Sequence, residues 1–453
     1  MKIIFLFFLL CLPVTSWAVE TEELPPMPKG PLLLTSATPE QLSADYWISR
    51  LSNPDQPLKT PQELAELNED SHVMIKDLSD IFQMDLRRPG RPIRDQIELE
   101  YNTVKGRILF GSDDQPVPKS IFTNQIQPIL QLENVPDRIQ MKWGVATRAT
   151  SVRALPSDVK MLEEIADYEF DQLQFTLIKL WTPVGIYHTS RDGQWYYVQA
   201  PYVRGWVHSR DIALFSSRDE LRQYVKSGPF LVVMGESTPV FRDPELQRMS
   251  QRPSMGTTIP IAERTGNGYV VWMPRRSEEG SVQLQRGYLD PRSDVREGFP
   301  PFTQRNIIKQ AFKLLGARYG WGGQYNGRDC SGFVQDVFLS MGVDMPRDSR
   351  DQAFVGTQLG HFEPMRQGEE KAAAIQGGAP GITLMRMPLH MMLYIGEANG
   401  QFFAIHSTWA ERISMHSDQK VRINQVVVSD LTLNGKSYLG SLFDRIVSIN
   451  ELN

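Results

Sequence analysis

Residues 319–334 read Tyr319-Gly-Trp-Gly-Gly-Gln-Tyr-Asn-Gly-Arg-Asp-Cys-Ser-Gly-Phe-Val334. The first part of this stretch is rich in glycine, and the part that follows Cys330 is largely apolar. From there apolar side chains recur at helical spacing, at Phe333, Val334, Val337, Phe338 and Met341. The pattern predicts a helix that begins near Cys330. The free N–H groups and the dipole at such a helix start favour the thiolate, which is the reactive form of cysteine.

Cys330 is one of two cysteines among 453 residues. The other, Cys11, lies in residues 1–18, which resemble a secretory signal peptide in their pattern. Lys2 precedes an apolar run, and small residues precede an expected cut after Ala18. The mature chain would therefore hold a single thiol and no internal disulfide. Such a thiol is a buried apolar residue, a point of metal or lipid attachment, or a nucleophile.

The composition limits where the protein acts and what it binds. After the signal, no run approaches the ~20 apolar residues of a membrane-spanning helix, so no integral membrane segment is expected. We expect a secreted or periplasmic protein. Attachment of lipid to Cys11 is less favoured because Leu10 is bulky where a small residue is expected. A net charge of −5 argues against nucleic acid as the main partner. The oligomeric state is left open.

Changes in residue pattern predict a multidomain chain. Residues 1–18 form the signal, and the proline-rich residues 19–35 form a linker. Helix-start signals at Thr38 and Thr60 predict a helical N-terminal domain over residues 36–135. Short strand-like runs separated by turns predict two small β-barrels, over residues 138–217 and 225–295. Helices followed by strands predict an α+β domain over residues 301–453, with one late strand near residues 437–443.

Two histidines flank a predicted hairpin in this last domain. His390 and His406 bound the run HMMLYIGEANGQFFAIH, in which Gly396–Gly400 is predicted to form the loop. If Ile395 pairs with Gln401, His390 lies directly opposite His406, on the same face of the sheet. A cysteine at a nearby helix start could then give its proton to one histidine, while the second histidine orients the first. The arrangement therefore predicts a nucleophilic cysteine.

Two alternatives remain at this point. A free cysteine is most often a buried small apolar residue. Two histidines and one cysteine could also bind a metal ion, but the sequence lacks the Cys-x-x-Cys or His-x-x-x-His spacing typical of zinc sites. No metal and no cofactor are expected.

Three separated motifs resemble those of the NlpC/P60 cysteine peptidases. They are Tyr319-x-Trp-Gly-Gly with Asp329-Cys-Ser-Gly-Phe-Val334, then His390-x-x-x-Tyr-Ile-Gly396, then Ile405-His-Ser407. Upstream, Trp143-Gly-Val and Asp192-Gly-Gln-Trp resemble a bacterial SH3 domain. The resemblance implies a helical N-terminal region, two SH3-like β-barrels and a C-terminal α+β, papain-like NlpC/P60 domain.

The resemblance also implies roles for individual residues. Cys330 would be the nucleophile, His390 the base and His406 the orienting third residue, with Tyr319 beside the nucleophile to support the oxyanion. Substrate-side residues would be Asp329, Ser331 and Ser349, the first two near the free amine of the stem peptide's L-Ala. Residues 169–171 or Tyr202 of the first SH3-like domain would help to line the site. Pro380-Gly-Ile-Thr departs from the family's Pro-Gly-Asp, although no catalytic residue of the motifs is missing.

By this resemblance the chain would hydrolyse the γ-D-glutamyl–diamino acid bond of peptidoglycan stem peptides, those with a free N-terminal L-Ala. Its partners would be these stem peptides. The alternatives are a cell-wall-binding protein without catalysis, and an amidase or acyltransferase that uses the same thiol. The Cys-before-His order favours the peptidase over the permuted, lipid-acting relatives.

Overall fold

The computed structural model describes residues 30–266 and 268–453. The predicted signal peptide and residues 19–29 of the predicted linker lie outside these ranges. The last residues of that linker lie against the C-terminal domain, where Leu32 and Leu34 pack on a buried cluster. In the described part of the chain, no helix is both long enough and apolar enough to cross a membrane.

The N-terminal region is helical, as its start signals predict. Thr60 caps the helix Pro61–Met74, and its hydroxyl and the Glu63 carboxylate form a reciprocal capping box. Thr38 caps a single 3₁₀ turn rather than a long helix. The helices of this region are α1 (Ala44–Ile48), α2 (Pro61–Met74), α3 (Gly90–Gly106), α4 (Lys119–Ile121) and α5 (Gln127–Leu130).

This helical region packs on two different cores. Trp47 of α1 belongs to the buried cluster of the C-terminal domain, and its ring lies 5.1 Å from that of Phe403. Ile97 of α3 belongs instead to the core that is shared with the two β domains. The region therefore connects the C-terminal domain to the β domains.

The two β domains are curled, seven-stranded antiparallel sheets, in agreement with the SH3-like prediction. A short pair, β1 (Arg87–Pro89) with β2 (Arg138–Gln140), precedes them. The first sheet has the order β5-β4-β8-β7-β6-β3-β9, and its strands are β3 (Lys142–Ala146), β4 (Thr150–Arg153), β5 (Gln174–Ile178), β6 (Pro183–Thr189), β7 (Trp195–Ala200), β8 (Val203–His208) and β9 (Ile212–Phe215).

Helix α6 (Arg218–Val225) leads to the second sheet, whose order is β12-β11-β15-β14-β13-β10-β16. Its strands are β10 (Phe230–Val233), β11 (Val240–Phe241), β12 (Met249–Gln251), β13 (Thr258–Thr265), β14 (Gly268–Arg276), β15 (Val282–Leu289) and β16 (Val295–Glu297).

The C-terminal domain packs helices against one six-stranded sheet, which confirms its α+β class. The strand order is β17-β22-β18-β19-β20-β21. The strands are β17 (Thr357–His361), β18 (Thr383–Met387), β19 (His390–Ala398), β20 (Gln401–Arg412), β21 (Lys420–Asp430) and β22 (Ser448–Glu451). The helices are α7 (Gln304–Lys313), α8 (Cys330–Leu339), α9 (Ser349–Gln352), α10 (Gly368–Gly377) and α11 (Leu442–Arg445).

Two local predictions for this domain are wrong. The segment 437–443 is a turn that leads into α11, and the last strand is β22 instead. The hairpin loop is only Asn399-Gly400, both with positive φ, so Gly396 lies within β19 rather than in the loop. The register also differs, because a bulge between Tyr394 and Gly396 shifts the pairing to Leu393 with Ile405. His406 is therefore diagonal to His390, not opposite it.

Candidate active site

Cys330 is the first residue of α8, as the sequence predicts. Asp329 caps this helix by accepting a hydrogen bond from the Gly332 N–H at 2.8 Å. The chain before it turns tightly, and a Cβ on Gly320 would lie 2.1 Å from the carbonyl oxygen of Gln324. The Cys330 N–H is among the first of the helix, which have no intrahelical carbonyl to bind. It can therefore face an oxyanion that forms next to the thiol.

The two predicted histidines are hydrogen-bonded to each other. His390 Nε2 lies 2.8 Å from His406 Nδ1, with the two rings nearly perpendicular. On the far side, His406 Nε2 lies 3.0 Å from the hydroxyl oxygen of Ser429 on β21. The diagonal register brings the side chains together because residues two positions apart share a face of the sheet.

This chain of hydrogen bonds determines which ring nitrogens carry protons in the catalytic form. For His390 Nδ1 to accept a proton, His390 Nε2–H must donate to His406 Nδ1. His406 then carries its own proton on Nε2 and donates it to the Ser429 hydroxyl oxygen. In that tautomer the Ser429 hydroxyl oxygen is the acceptor that completes the chain of hydrogen bonds. Sequence reasoning missed it, although a lone hydroxyl in the buried run Val426-Val-Val-Ser-Asp430 is a usable signal.

The cysteine and the first histidine meet at one cavity of about 780 Å³. Cys330 Sγ lies 3.9 Å from the carbonyl oxygen of Leu389, the residue before His390. Cys330 and His390 are 8% and 7% exposed and line the cavity, whereas His406 is 0% exposed and lies behind His390. The structure thus places Cys330 and His390 where a substrate can reach them and His406 where it cannot.

Burial favours the neutral forms of Cys330 and His390 in the substrate-free protein. Burial, followed by the nearby Asp329 carboxylate, raises the pKa of the Cys330 thiol to about 12. Burial lowers the pKa of His390 to about 3, and it also lowers the pKa of His406 far below its usual range. The Ser331 N–H at the helix start lowers the pKa of the thiol, in the direction that the sequence predicts, but burial and the Asp329 carboxylate outweigh it.

The other predicted site residues also line this cavity, namely Tyr319, Asp329, Ser331 and Ser349. Burial, then the negative charge of Asp329, raise the pKa of Tyr319 well above its usual range, so its hydroxyl stays protonated and can donate a hydrogen bond. Ser349 begins α9 at the cavity wall.

Asp329 already has a cationic partner. Arg347 Nη2 lies 2.5 Å from its carboxylate, and the Gly322 N–H donates to the same oxygen at 2.9 Å. The same guanidinium donates to the Ser331 hydroxyl at 2.8 Å and to the Thr176 hydroxyl of β5 at 2.7 Å. The sequence analysis did not identify Arg347, because no local sequence pattern indicates that an arginine after α8 forms an ion pair with Asp329 at the start of that helix. A substrate ammonium at Asp329 would share the carboxylate with this guanidinium.

The first β domain forms one wall of the cavity. The ring centre of Phe170 lies 5.4 Å from that of Trp321 and 6.2 Å from that of Tyr319, both tilted, and its ring meets that of Trp409 edge-on at 5.3 Å. The sequence offers four residues of this domain for that wall, residues 169–171 and Tyr202. Of these, Phe170 and Tyr202 line the cavity. The neighbours of Phe170 do not line it: Glu169 accepts a hydrogen bond from Trp409, and Asp171 is buried against Arg153.

Comparison with known proteins shows which families the domains resemble. The model of the NlpC/P60 family matches residues 316–431, and that of the SH3 domain of SH3b1 type matches residues 161–208. A γ-D-glutamyl-L-lysine dipeptidyl-peptidase from Bacillus cereus is 26% identical over 41% of this chain and 51% of its own length. The protein of the same name from Bacillus subtilis is 35% identical over 21% of this chain and 30% of its own length. The chain thus spans about half or less of these relatives.

Two solved structures share the fold. An NlpC/P60 endopeptidase from Photobacterium damselae subsp. piscicida superposes with a TM-score of 0.72 at 18% identity, over 95% of this chain and 98% of its own. An NlpC/P60 family protein from Bacillus cereus has a TM-score of 0.50 at 16% identity, over 68% of this chain and 99% of its own. The chain therefore carries an NlpC/P60 family domain that contains Cys330, His390 and His406, preceded by an SH3 domain of the SH3b1 type.

Proposed function

We propose that this protein is an exported cysteine peptidase that hydrolyses the γ-D-glutamyl–diamino acid bond of peptidoglycan stem peptides. One observation carries the proposal. Cys330, at a helix start, opens on the same cavity as His390, and His390 is hydrogen-bonded to the buried His406. The names of the two Bacillus relatives, γ-D-glutamyl-L-lysine dipeptidyl-peptidases, support this choice of bond.

The neutral resting pair determines how the reaction starts. As Sγ of Cys330 attacks the γ-glutamyl carbonyl, the thiol proton passes to His390, so the thiolate forms only with the new C–S bond. The carbonyl oxygen becomes an oxyanion that the Cys330 N–H and the Tyr319 hydroxyl stabilise. His390 then returns the proton to the leaving amine of the diamino acid, and the C–N bond breaks to leave a thioester.

Water completes the cycle. His390 takes a proton from water as the oxygen attacks the thioester carbonyl. The C–S bond breaks, the thiol regains the proton, and the γ-carboxylate of the D-glutamate leaves. Because burial disfavours the imidazolium form of His390, that form is short-lived, and each proton transfer is coupled to the making or breaking of a bond.

The cavity wall favours short peptides with a free amino end. The first β domain closes one side through Phe170 and Tyr202, and Glu163, Glu164 and Asp167 add carboxylates to the lining. These carboxylates, together with Asp329, suit an ammonium group such as the free amine of L-Ala. An acetylated amine would lose this attraction and add bulk at the wall.

The substrate proposal is tested with two synthetic peptides. L-Ala-γ-D-Glu-diaminopimelate and its N-acetyl form are incubated separately with the protein, and the products are identified by mass spectrometry. We expect L-Ala-D-Glu and free diaminopimelate from the first peptide and at least ~10-fold slower cleavage of the second. Cleavage of the L-Ala–D-Glu bond, or equal rates for both peptides, contradicts the proposal.

Export is proposed from residues 1–18 and is tested separately. The full-length chain is expressed in a Gram-negative host, and the N-terminus of the accumulated protein is sequenced. We expect a mature protein that begins at Val19 in the periplasmic fraction. A protein that keeps residues 1–18 and stays in the cytoplasm contradicts export.

A further inference from the structure

A groove between the two β domains is lined by arginines. It has a volume of about 290 Å³ and lies away from the catalytic cavity, with which it shares no lining residue. The first β domain contributes two of these arginines and the second contributes three: Arg148, Arg210, Arg242, Arg275 and Arg276. One carboxylate, that of Asp211, lies among them. This concentration of positive charge is unexpected in a chain with a net charge of −5.

Most arginines of the groove have no carboxylate within ion-pair distance in the described part of the chain. Asp211 is buried and accepts a hydrogen bond from the Thr150 hydroxyl at 2.9 Å, and its second oxygen lies 3.8 Å from Arg148. Within residues 30–266 and 268–453, the other four arginines form no ion pair. In contrast, Arg328 lies 2.7 Å from the Asp336 carboxylate.

The groove is held in shape by contacts between the two β domains. The Leu214 N–H donates to the carbonyl oxygen of Gly280 at 2.9 Å, and the Trp181 indole donates to the carbonyl oxygen of Trp272 at 2.8 Å. Gly280 has a φ of +93°, and a Cβ there would lie 2.9 Å from Arg276 Nη2, so its bare backbone accommodates the guanidinium. Arg276 Nη1 donates to the Ser277 carbonyl oxygen at 3.2 Å, whereas Arg276 Nε is buried and has no hydrogen-bond partner among the described residues.

We propose that this groove is a second ligand site, which binds a phosphate-bearing ligand independently of Cys330. Like charges held together by a rigid scaffold repel one another, and a bound anion relieves that repulsion. Guanidinium groups bind phosphate through paired hydrogen bonds. A phosphate carries up to two charges and three strong acceptor oxygens, so it can neutralise more of these arginines than a single carboxylate can. The phosphate belongs to a soluble polyphosphorylated molecule or to a lipid headgroup.

The proposal is tested with two probes and two matched double variants. Binding of inorganic tripolyphosphate is measured by calorimetry, and binding to phosphatidylcholine vesicles with and without phosphatidylglycerol is measured by sedimentation, both at low salt. The groove variant is Arg242→Gln/Arg275→Gln. The control, Arg286→Gln/Arg292→Gln, removes the same charge from exposed, acid-paired arginines of the same domain. Thermal melting checks that both variants are folded.

We expect the groove variant to bind at least ~10-fold more weakly than the wild type and the control variant to stay within about twofold. This pattern with tripolyphosphate supports a soluble phosphate ligand. The same pattern only with phosphatidylglycerol vesicles supports a lipid headgroup. The proposal is overturned if the wild type binds neither probe, or if both variants weaken binding equally, which would reflect net charge alone.

Discussion

Ser429 provides the sharpest test of how the histidines are held. In the tautomer that the mechanism requires, its hydroxyl oxygen accepts the Nε2–H of His406, at 3.0 Å in a site that is 0% exposed. In Ser429→Ala this buried N–H loses its partner, at a cost of about 1–3 kcal/mol. His406 can avoid that cost by moving its proton to Nδ1, which then donates to His390 Nε2. His390 would then carry its proton on Nδ1, the nitrogen that must accept the thiol proton.

The expected loss of kcat/KM follows from the same energy. A penalty of about 1.4–2.8 kcal/mol on the catalytic tautomer corresponds to a decrease of about 10- to 100-fold. The assay is peptide hydrolysis, followed by chromatography at several substrate concentrations. Because Ser429 does not line the cavity, we expect the loss in kcat and little change in KM.

Ser448→Ala is the matched control. Ser448 is also a buried serine of the same sheet, on β22, but its hydroxyl has no hydrogen-bond partner. Its removal should leave kcat within about twofold of the wild type, since no bond is lost. The tautomer argument is refuted if Ser429→Ala retains wild-type kcat, or if the two alanine variants lose activity equally.

Two further predictions concern stability. The pKa of His390 is about 3 in the folded protein and near 6.5 in the unfolded chain. The stability that the neutral His390 side chain contributes is therefore complete above pH 6.5 and is lost as the pH falls towards 3. Between pH 6.5 and 5, urea unfolding should show that the free energy of unfolding of the wild type falls by about 2 kcal/mol more than that of His390→Gln. Equal decreases in the two proteins would disprove the lowered pKa of His390. In Arg347→Gln the buried Asp329 carboxylate loses its cation, so we expect the free energy of unfolding to fall by about 3–5 kcal/mol. The exposed Arg292→Gln should leave the melting temperature almost unchanged, and similar melting temperatures for the two variants would contradict the role of the ion pair.

Local sequence patterns predicted the elements that carry the site. The glycine-rich approach and the apolar periodicity gave the start of α8 at Cys330, and Asn399-Gly400 marked the hairpin. The exact pairing of that hairpin was missed because Gly396 forms a bulge. A Cβ on Gly396 would lie 3.1 Å from the Trp47 ring, so the bulge depends on a residue about 350 positions earlier in the chain.

The electrostatics of the site could not be inferred from nearby sequence. Helix position alone favours a thiolate at Cys330, but the surrounding domains bury the thiol and reverse the direction of its pKa shift. Arg347 and Ser429 reach the site from other elements, so their roles depend on tertiary packing. The candidate catalytic residues were thus visible in the motifs, whereas Arg347 and Ser429, which contact them or their neighbours, were not.

The central claim is that the thiol of Cys330 attacks the γ-glutamyl carbonyl. The most direct measurement compares the wild type with Cys330→Ala on L-Ala-γ-D-Glu-diaminopimelate, with the products identified by mass spectrometry and both proteins matched by thermal melting. We predict that the wild type releases L-Ala-D-Glu and that Cys330→Ala releases none above the uncatalysed rate. Release of the same dipeptide by folded Cys330→Ala at a comparable rate would contradict the account.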